Sequence, residues 1–132
     1  HWIYRSRLDE MREFLGIPIV YKTCAETFDY HFREHYLNKH ADFRDAEELS
    51  RYFDSPCLMV GIQGQTKEMI RNDIRLLKQF FKLGTINVFT NNSTDVKRDE
   101  ELVKWFLEEY RELEHDPSIE VLYENTDFGV GD

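Results

Sequence analysis

Gly61-Ile62-Gln63-Gly64-Gln65-Thr66 joins the apolar run Cys57-Leu58-Met59-Val60 to the start of a helical pattern. A glycine at position 64 lets the backbone turn tightly and lets a ligand approach, and free amides opening a helix at Thr66 can bind an acceptor or anion. The spacing is neither a phosphate-binding loop, which needs Gly-Lys-Ser/Thr, nor a full dinucleotide fingerprint. Three other polar segments follow apolar ones in the same way. They are Cys24-Ala25-Glu26-Thr27, Asn91-Asn92-Ser93-Thr94 just after Thr90, and Asn125-Thr126-Asp127. All four are rich in Asn, Gln, Thr, Asp and Glu, side chains that bind small polar ligands when a fold brings them to one edge. Taken singly, the same residues serve equally well as turns and helix caps.

Other chemistry is less well furnished. His31 and His35 have the spacing of a metal pair on a helix, but His-Phe-Arg-Glu-His lacks the Glu that a zincin carries directly after its first His. No further ligands accompany them, so no metal site is expected. Cys24 stands beside Glu26, and a neighbouring carboxylate raises a thiol's pKa, so an inert thiol is expected there. Asp127-Phe128-Gly129 imitates a kinase magnesium motif without the Gly-rich and catalytic loops that would accompany it.

These segments have to be positioned by helices and strands, and the hydrophobic pattern supplies both. Leu8, Met11, Phe14 and Leu15 form a helical stripe over residues 5–15, stopped by Gly16 and Pro18. Residues 19–23 read as a strand, and Asp29 is placed to cap a helix running to about Lys39. Asp45 caps a short helix over 46–53. Residues 57–62 are apolar almost throughout, the pattern of a strand in a parallel sheet covered on both faces. From Thr66 a long amphipathic helix carries Ile70, Ile74 and Leu77 to Gly84, and residues 85–90 form the next strand. Asp99 opens a helix packed through Leu102, Val103 and Phe106, and residues 119–123 form the last strand. Strands near 19, 57, 85 and 119 with helices between them predict an α/β domain of parallel βα repeats with about four strands. They predict either part of a TIM-like barrel or an open doubly wound sheet. In both, the carboxyl ends of the strands carry the ligand site, so the four polar segments should meet on one rim.

Composition bounds the rest. A chain of 132 residues suits one domain over residues 1–132. Seventeen basic against 26 acidic residues give a net charge of −9, which disfavours nucleic acid and anionic membranes as partners. No apolar run approaches the roughly 20 residues that cross a bilayer, and the start is not a signal peptide, so a cytoplasmic location is expected. Two cysteines are too few for a disulfide framework. The first residue is His1 rather than methionine, as in a piece of something longer.

The Gly61–Thr66 segment resembles the turn after the fifth strand of radical S-adenosylmethionine (radical SAM) barrels, with Gln63 in place of the usual proline. Glu68-Met69-Ile70-Arg71-Asn72-Asp73-Ile74 resembles that family's following helix. Glu26-Thr27-Phe28-Asp29, with Arg33 and Leu37-Asn38-Lys39, resembles the stretch after its fourth strand. The likeness covers roughly residues 17–94 and implies the C-terminal half of such a barrel. It implies that Glu26 lies near the methionine or ribose part of S-adenosylmethionine (SAM). It places Gly61, Gly64, Gln65, Thr66, Thr90 and Asn91 around ribose and adenine, and leaves Asn92, Asn125 and Asp127 to a small-molecule or peptide substrate. The family's three-cysteine motif for a [4Fe-4S] cluster is absent, so SAM and cluster are expected in a full-length parent and neither is expected to be retained by this chain alone. The remainder of that barrel is then the expected partner, with self-association through an apolar sheet edge when it is missing. The alternative is a stand-alone, non-catalytic α/β module that binds a small polar ligand or a protein at the same rim.

Overall fold

The computed structural model describes residues 1–124. Four strands, β1 (Lys22–Glu26), β2 (Ser55–Val60), β3 (Gly84–Val88) and β4 (Ile119–Leu122), form one sheet in the order β1-β2-β3-β4, and every neighbouring pair is parallel. Four α-helices accompany them: α1 (Leu8–Leu15), α2 (Ala46–Ser50), α3 (Lys67–Phe80) and α4 (Glu100–Glu109). Sequential order decides between the two expected architectures. A doubly wound sheet must reverse its winding direction to put helices on both faces, whereas right-handed crossovers that always step the same way put every helix on one face. These strands are therefore an arc of a TIM-like barrel.

Burial along the strands agrees with this. Ala25, Leu58, Val60, Ile86, Val88 and Ile119 face the helices and pack with Leu49, Ile70, Ile74, Leu77, Leu102 and Phe106 in the main core. Alternate residues turn to the other face, where Cys24 is exposed and Cys57, Met59 and Asn87 are half-buried. The continuous apolar run at 57–62 thus lies on a strand covered fully on one side, and the second side is the concave face of the arc. A smaller cluster of Phe32, Ile62 and Phe89, with Met59 and Met69 against it, closes the carboxyl end of the sheet.

Helix starts follow from their caps. Asp45, Thr66 and Asp99 sit in extended conformation and accept hydrogen bonds from the amides of Glu48, Met69 and Leu102 at 2.8, 3.1 and 3.0 Å. The expected helix after Asp29 is the main departure. Asp29 does cap it, accepting from Phe32 N at 2.8 Å, but the segment is a wide π-turn over Phe32–Tyr36. Asn38 and His40 at φ 53° and 54° then bend the chain away. The cause is Arg33, which is fully buried and draws the returning strand of backbone around its guanidinium. The first strand lies three residues later than its pattern suggests, so Glu26 is its last residue. Among the exposed apolar side chains Phe14 of α1 stands out at 89% exposed, with Ile3, Met11 and Ile17 also exposed, while the edge strand β1 shows Lys22 and Cys24.

Asp73 of α3 is buried beneath the β1 turn, where its Oδ1 accepts from Phe28 N at 2.9 Å. Burial pushes its carboxyl up to about 7, against weaker opposing help from Thr27 and the Phe28 amide. The folded chain therefore holds a proton that the unfolded chain has released above about pH 4. Its contribution is fully present below that pH, is lost as pH rises towards 7, and is level beyond. Urea midpoints of Asp73→Asn should match wild type near pH 4 and exceed it at pH 8, the gap widening by up to about 1.4 kcal/mol per pH unit between. An unchanged gap across that range would show that Asp73 is already ionised.

Candidate functional site

Because the strands are parallel, the segments after β1, β2 and β3 leave the sheet at the same end. Backbone bonds then tie them together. Gln63 N donates to Lys97 O at 2.8 Å, Asp99 N to Gly61 O at 2.8 Å, and Ile62 pairs with Arg98 as an antiparallel bridge. The loop that follows β3, with Thr90, Asn91 and Asn92, is thereby folded against the turn that follows β2. From the other side Tyr36 donates its hydroxyl to Gln63 O at 2.7 Å, so the π-turn after β1 reaches the same turn.

The expected site residues that the structure describes lie at this end of the sheet. Gln65 is buried and its amide is spent internally: Oε1 accepts from the amides of Gly61 and Ile62 at 3.0 and 3.1 Å, and Nε2 donates to Met59 O at 2.8 Å. It shapes the turn. Thr66 uses its hydroxyl as the α3 cap. Gly61 and Gly64 adopt φ +90° and +98°, which an L side chain resists, and a Cβ on Gly64 would press on the Tyr36 ring at 3.2 Å. Asn91 and Asn92 are exposed; the first accepts from Arg98 N at 2.8 Å and the second from Thr94. Asn125 and Asp127 lie outside the described residues.

Glu26 is the most unusual. Its φ is +63°, and Thr27 N donates to Ala25 O at 2.8 Å across it, so Glu26 is the centre of a strained three-residue turn at a register shift between β1 and β2. Its Oε1 accepts from Lys39 Nζ at 2.5 Å, while Oε2 is buried with no partner. Burial alone would pull the Lys39 ammonium down, but the charge and hydrogen bond of Glu26 outweigh it and the net shift is upward. A non-glycine residue held in this conformation with an unsatisfied carboxylate oxygen is the kind of strain that folds retain at binding sites.

Sequence reasoning passed over the concave face. Cys24 and Cys57 are direct partners in the β1–β2 register, and Asn87 Nδ2 donates to Cys57 Sγ at 3.0 Å. The expected inert thiol at Cys24 is not what the geometry produces. The adjoining Cys57 thiol pulls the Cys24 pKa down to about 6, against burial and the Glu26 charge, while Cys24 and burial push Cys57 up. The signal was present as two cysteines alone in the chain, but only the register pairs them. His31 and His35 stack at 4.7 Å on the surface, and among the described residues no cluster of three or more His, Cys, Asp or Glu could hold a metal.

No protein-family model and no curated protein matches this chain. A solved structure does. A queuine lyase from Clostridium spiroforme, a radical SAM enzyme solved with SAM and queuine bound, aligns over 100% of this chain with 53% identity and a TM-score of 0.93. The chain belongs to the radical SAM superfamily. It spans 57% of that lyase's length, so it corresponds to a portion of a radical SAM enzyme. The parallel arc is the part of a radical SAM barrel that the sequential strand order requires. For a nucleoside cofactor the rim is chemically suited, since Glu26 Oε2 is an unused acceptor at the same end of the sheet as the positive-φ Gly61 and Gly64. For the iron-sulfur cluster it is not, because Cys24 and Cys57 supply two thiolates of the three required and lie on the concave face. No helix among the described residues is long and apolar enough to cross a membrane.

Proposed function

We propose that this chain forms part of the SAM-nucleoside and substrate wall of a radical SAM enzyme acting on queuine or a closely related deazapurine. The observation that carries this reading is 53% identity across every residue of the chain to a lyase bound to both molecules. Support from the rim is local: Glu26 offers a free carboxylate oxygen to the hydroxyls or amine of SAM, while Gly61 and Gly64 keep the turn bare of side chains where the nucleoside lies. Gln65 and Thr66 hold that turn in shape, and Thr90 and Asn91 border it. Asn92, farther out on the loop, faces the substrate side. When bound, SAM supplies the group that starts radical chemistry, and the cluster that activates it is held by other residues of the longer protein.

Equilibrium binding of SAM and, separately, of queuine to that longer protein tests the reading. Glu26→Gln keeps the shape and removes the charge, and losing one charged hydrogen bond of about 1.5–3 kcal/mol should weaken SAM binding by roughly 10- to 100-fold. Gly64→Val should weaken it as well, partly by straining the turn and pressing on Tyr36, so Glu26→Gln is the more discriminating variant. Lys78→Val, on the exposed side of α3, should leave binding unchanged. Unchanged SAM affinity in Glu26→Gln with an intact melting transition would remove the nucleoside role from this rim. SAM binding without queuine binding would sink the substrate assignment alone.

A further inference from the structure

On the concave face Cys24 and Cys57 stand side by side across β1 and β2. Neighbouring strands run about 4.8 Å apart, inside the ~4.4–6.8 Å Cα separation that a disulfide spans. Parallel strands aim both Cβ atoms the same way, so the sulfurs can meet with little backbone movement. Their environment favours a thiolate at Cys24, whose pKa is pulled down to about 6 by Cys57 and more weakly by the Lys39 ammonium, and Asn87 Nδ2 donates to Cys57 Sγ at 3.0 Å. Glu26, already paired with Lys39, is the opposing charge. Within this chain Cys24 is exposed and Cys57 half-buried, which makes Cys24 the more accessible of the two and leaves Cys57 placed to resolve an adduct on it.

We propose that Cys24 and Cys57 are an oxidisable dithiol, a modification site that closes to a disulfide on exchange with a low-molecular-weight disulfide. The Cys24 thiolate attacks one sulfur of the reagent, forming a mixed disulfide and releasing one reagent thiolate. Cys57 then loses its proton to solvent and attacks Cys24 Sγ, which expels the second thiolate. Two protein thiols are oxidised, one reagent disulfide is reduced to two thiols, and no further electron carrier is involved. The bridge draws Cys57 Sγ from Asn87 and joins β1 to β2 two residues below Glu26. The proposal does not depend on the queuine reading, since it concerns the thiols alone.

The test uses the longer protein, in which peptide mapping singles out the peptides that carry Cys24 and Cys57. The reduced protein is incubated with oxidised glutathione, quenched in acid and mapped by mass spectrometry. The expected product is the Cys24–Cys57 cross-linked peptide pair free of glutathione. In Cys57→Ser the adduct should stop as glutathione on Cys24, and in Cys24→Ser Cys57 should react roughly ten-fold more slowly than that, because burial and the Glu26 charge still hold its thiol protonated and it is the less accessible of the two. Phenylarsine oxide, which needs two adjacent sulfurs, gives a second reading on the unmutated protein: the peptides that carry Cys24 and Cys57 should both be protected from iodoacetamide. Glutathione on both cysteines with no cross-link, equal rates in the two variants, or failure of the arsenical to protect would each overturn the proposal.

Discussion

Replacing Arg33 with methionine should lower stability by about 3–5 kcal/mol, the range for breaking a buried, hydrogen-bonded charge site. Arg33 has no solvent exposure. Its Nε donates to Ala41 O at 2.9 Å, Nη1 to Thr27 O at 2.9 Å and Nη2 to Phe43 O, while the guanidinium lies 3.5 Å from the Phe43 ring centroid and 3.4 Å from Glu34 Oε1. Burial pushes its pKa down, yet an arginine stays protonated at any pH of interest. Methionine fills the volume but leaves three carbonyls without donors. Lysine should recover little, because one ammonium cannot reach three acceptors set around a planar fork. The Thr27 carbonyl belongs to the residue after Glu26, so the loss should also relax the strained turn. Urea unfolding should show the lower midpoint, and a Lys variant as stable as wild type would mean that charge alone, without the fork, holds the segment.

Gly61→Ala should cost roughly 2–5 kcal/mol, combining about 1–2 kcal/mol for an L residue in left-handed conformation with about 1–3 kcal/mol for overpacking. A Cβ there would lie 2.2 Å from Val103 Cγ2, and a valine within α4 has one strongly preferred rotamer, so it cannot swing aside. The two causes separate in a double variant. Gly61→Ala combined with Val103→Ala should regain the overpacking part and keep the conformational part. A double variant no more stable than expected from adding the single costs would show that the clash is relieved some other way. Gly61 is thus needed first for helix packing against Val103.

Much of this protein is legible in its residue pattern because the signals are local. The caps Asp45, Thr66 and Asp99 act over three residues, and the amphipathic stripe of Ile70, Ile74 and Leu77 repeats within one helix. The four-strand βα repeat and its parallel sense follow from the spacing, and the family likeness from the Gly61–Thr66 turn. Where the pattern failed, a distant contact intervened. Residues after Asp29 look helical, but Arg33 needs carbonyls from 27, 41 and 43, and satisfying them bends the chain into a π-turn. Gln65 and Thr66 look like ligand donors, and only the folded turn shows their polar atoms engaged with its own backbone and the α3 cap.

The sequence by itself thus determined the elements, their order and the end of the sheet where polar segments gather, since hydrophobic period and capping are properties of neighbouring residues. Tertiary structure alone decided that the sheet is a barrel arc, because strand order depends on which strands pair. It alone set Glu26 in a strained turn with a free oxygen beside Lys39, and it alone put Cys24 against Cys57. Those outcomes rest on contacts between separate segments, Glu26 with Lys39 and Cys24 with Cys57, which no local pattern of residues encodes.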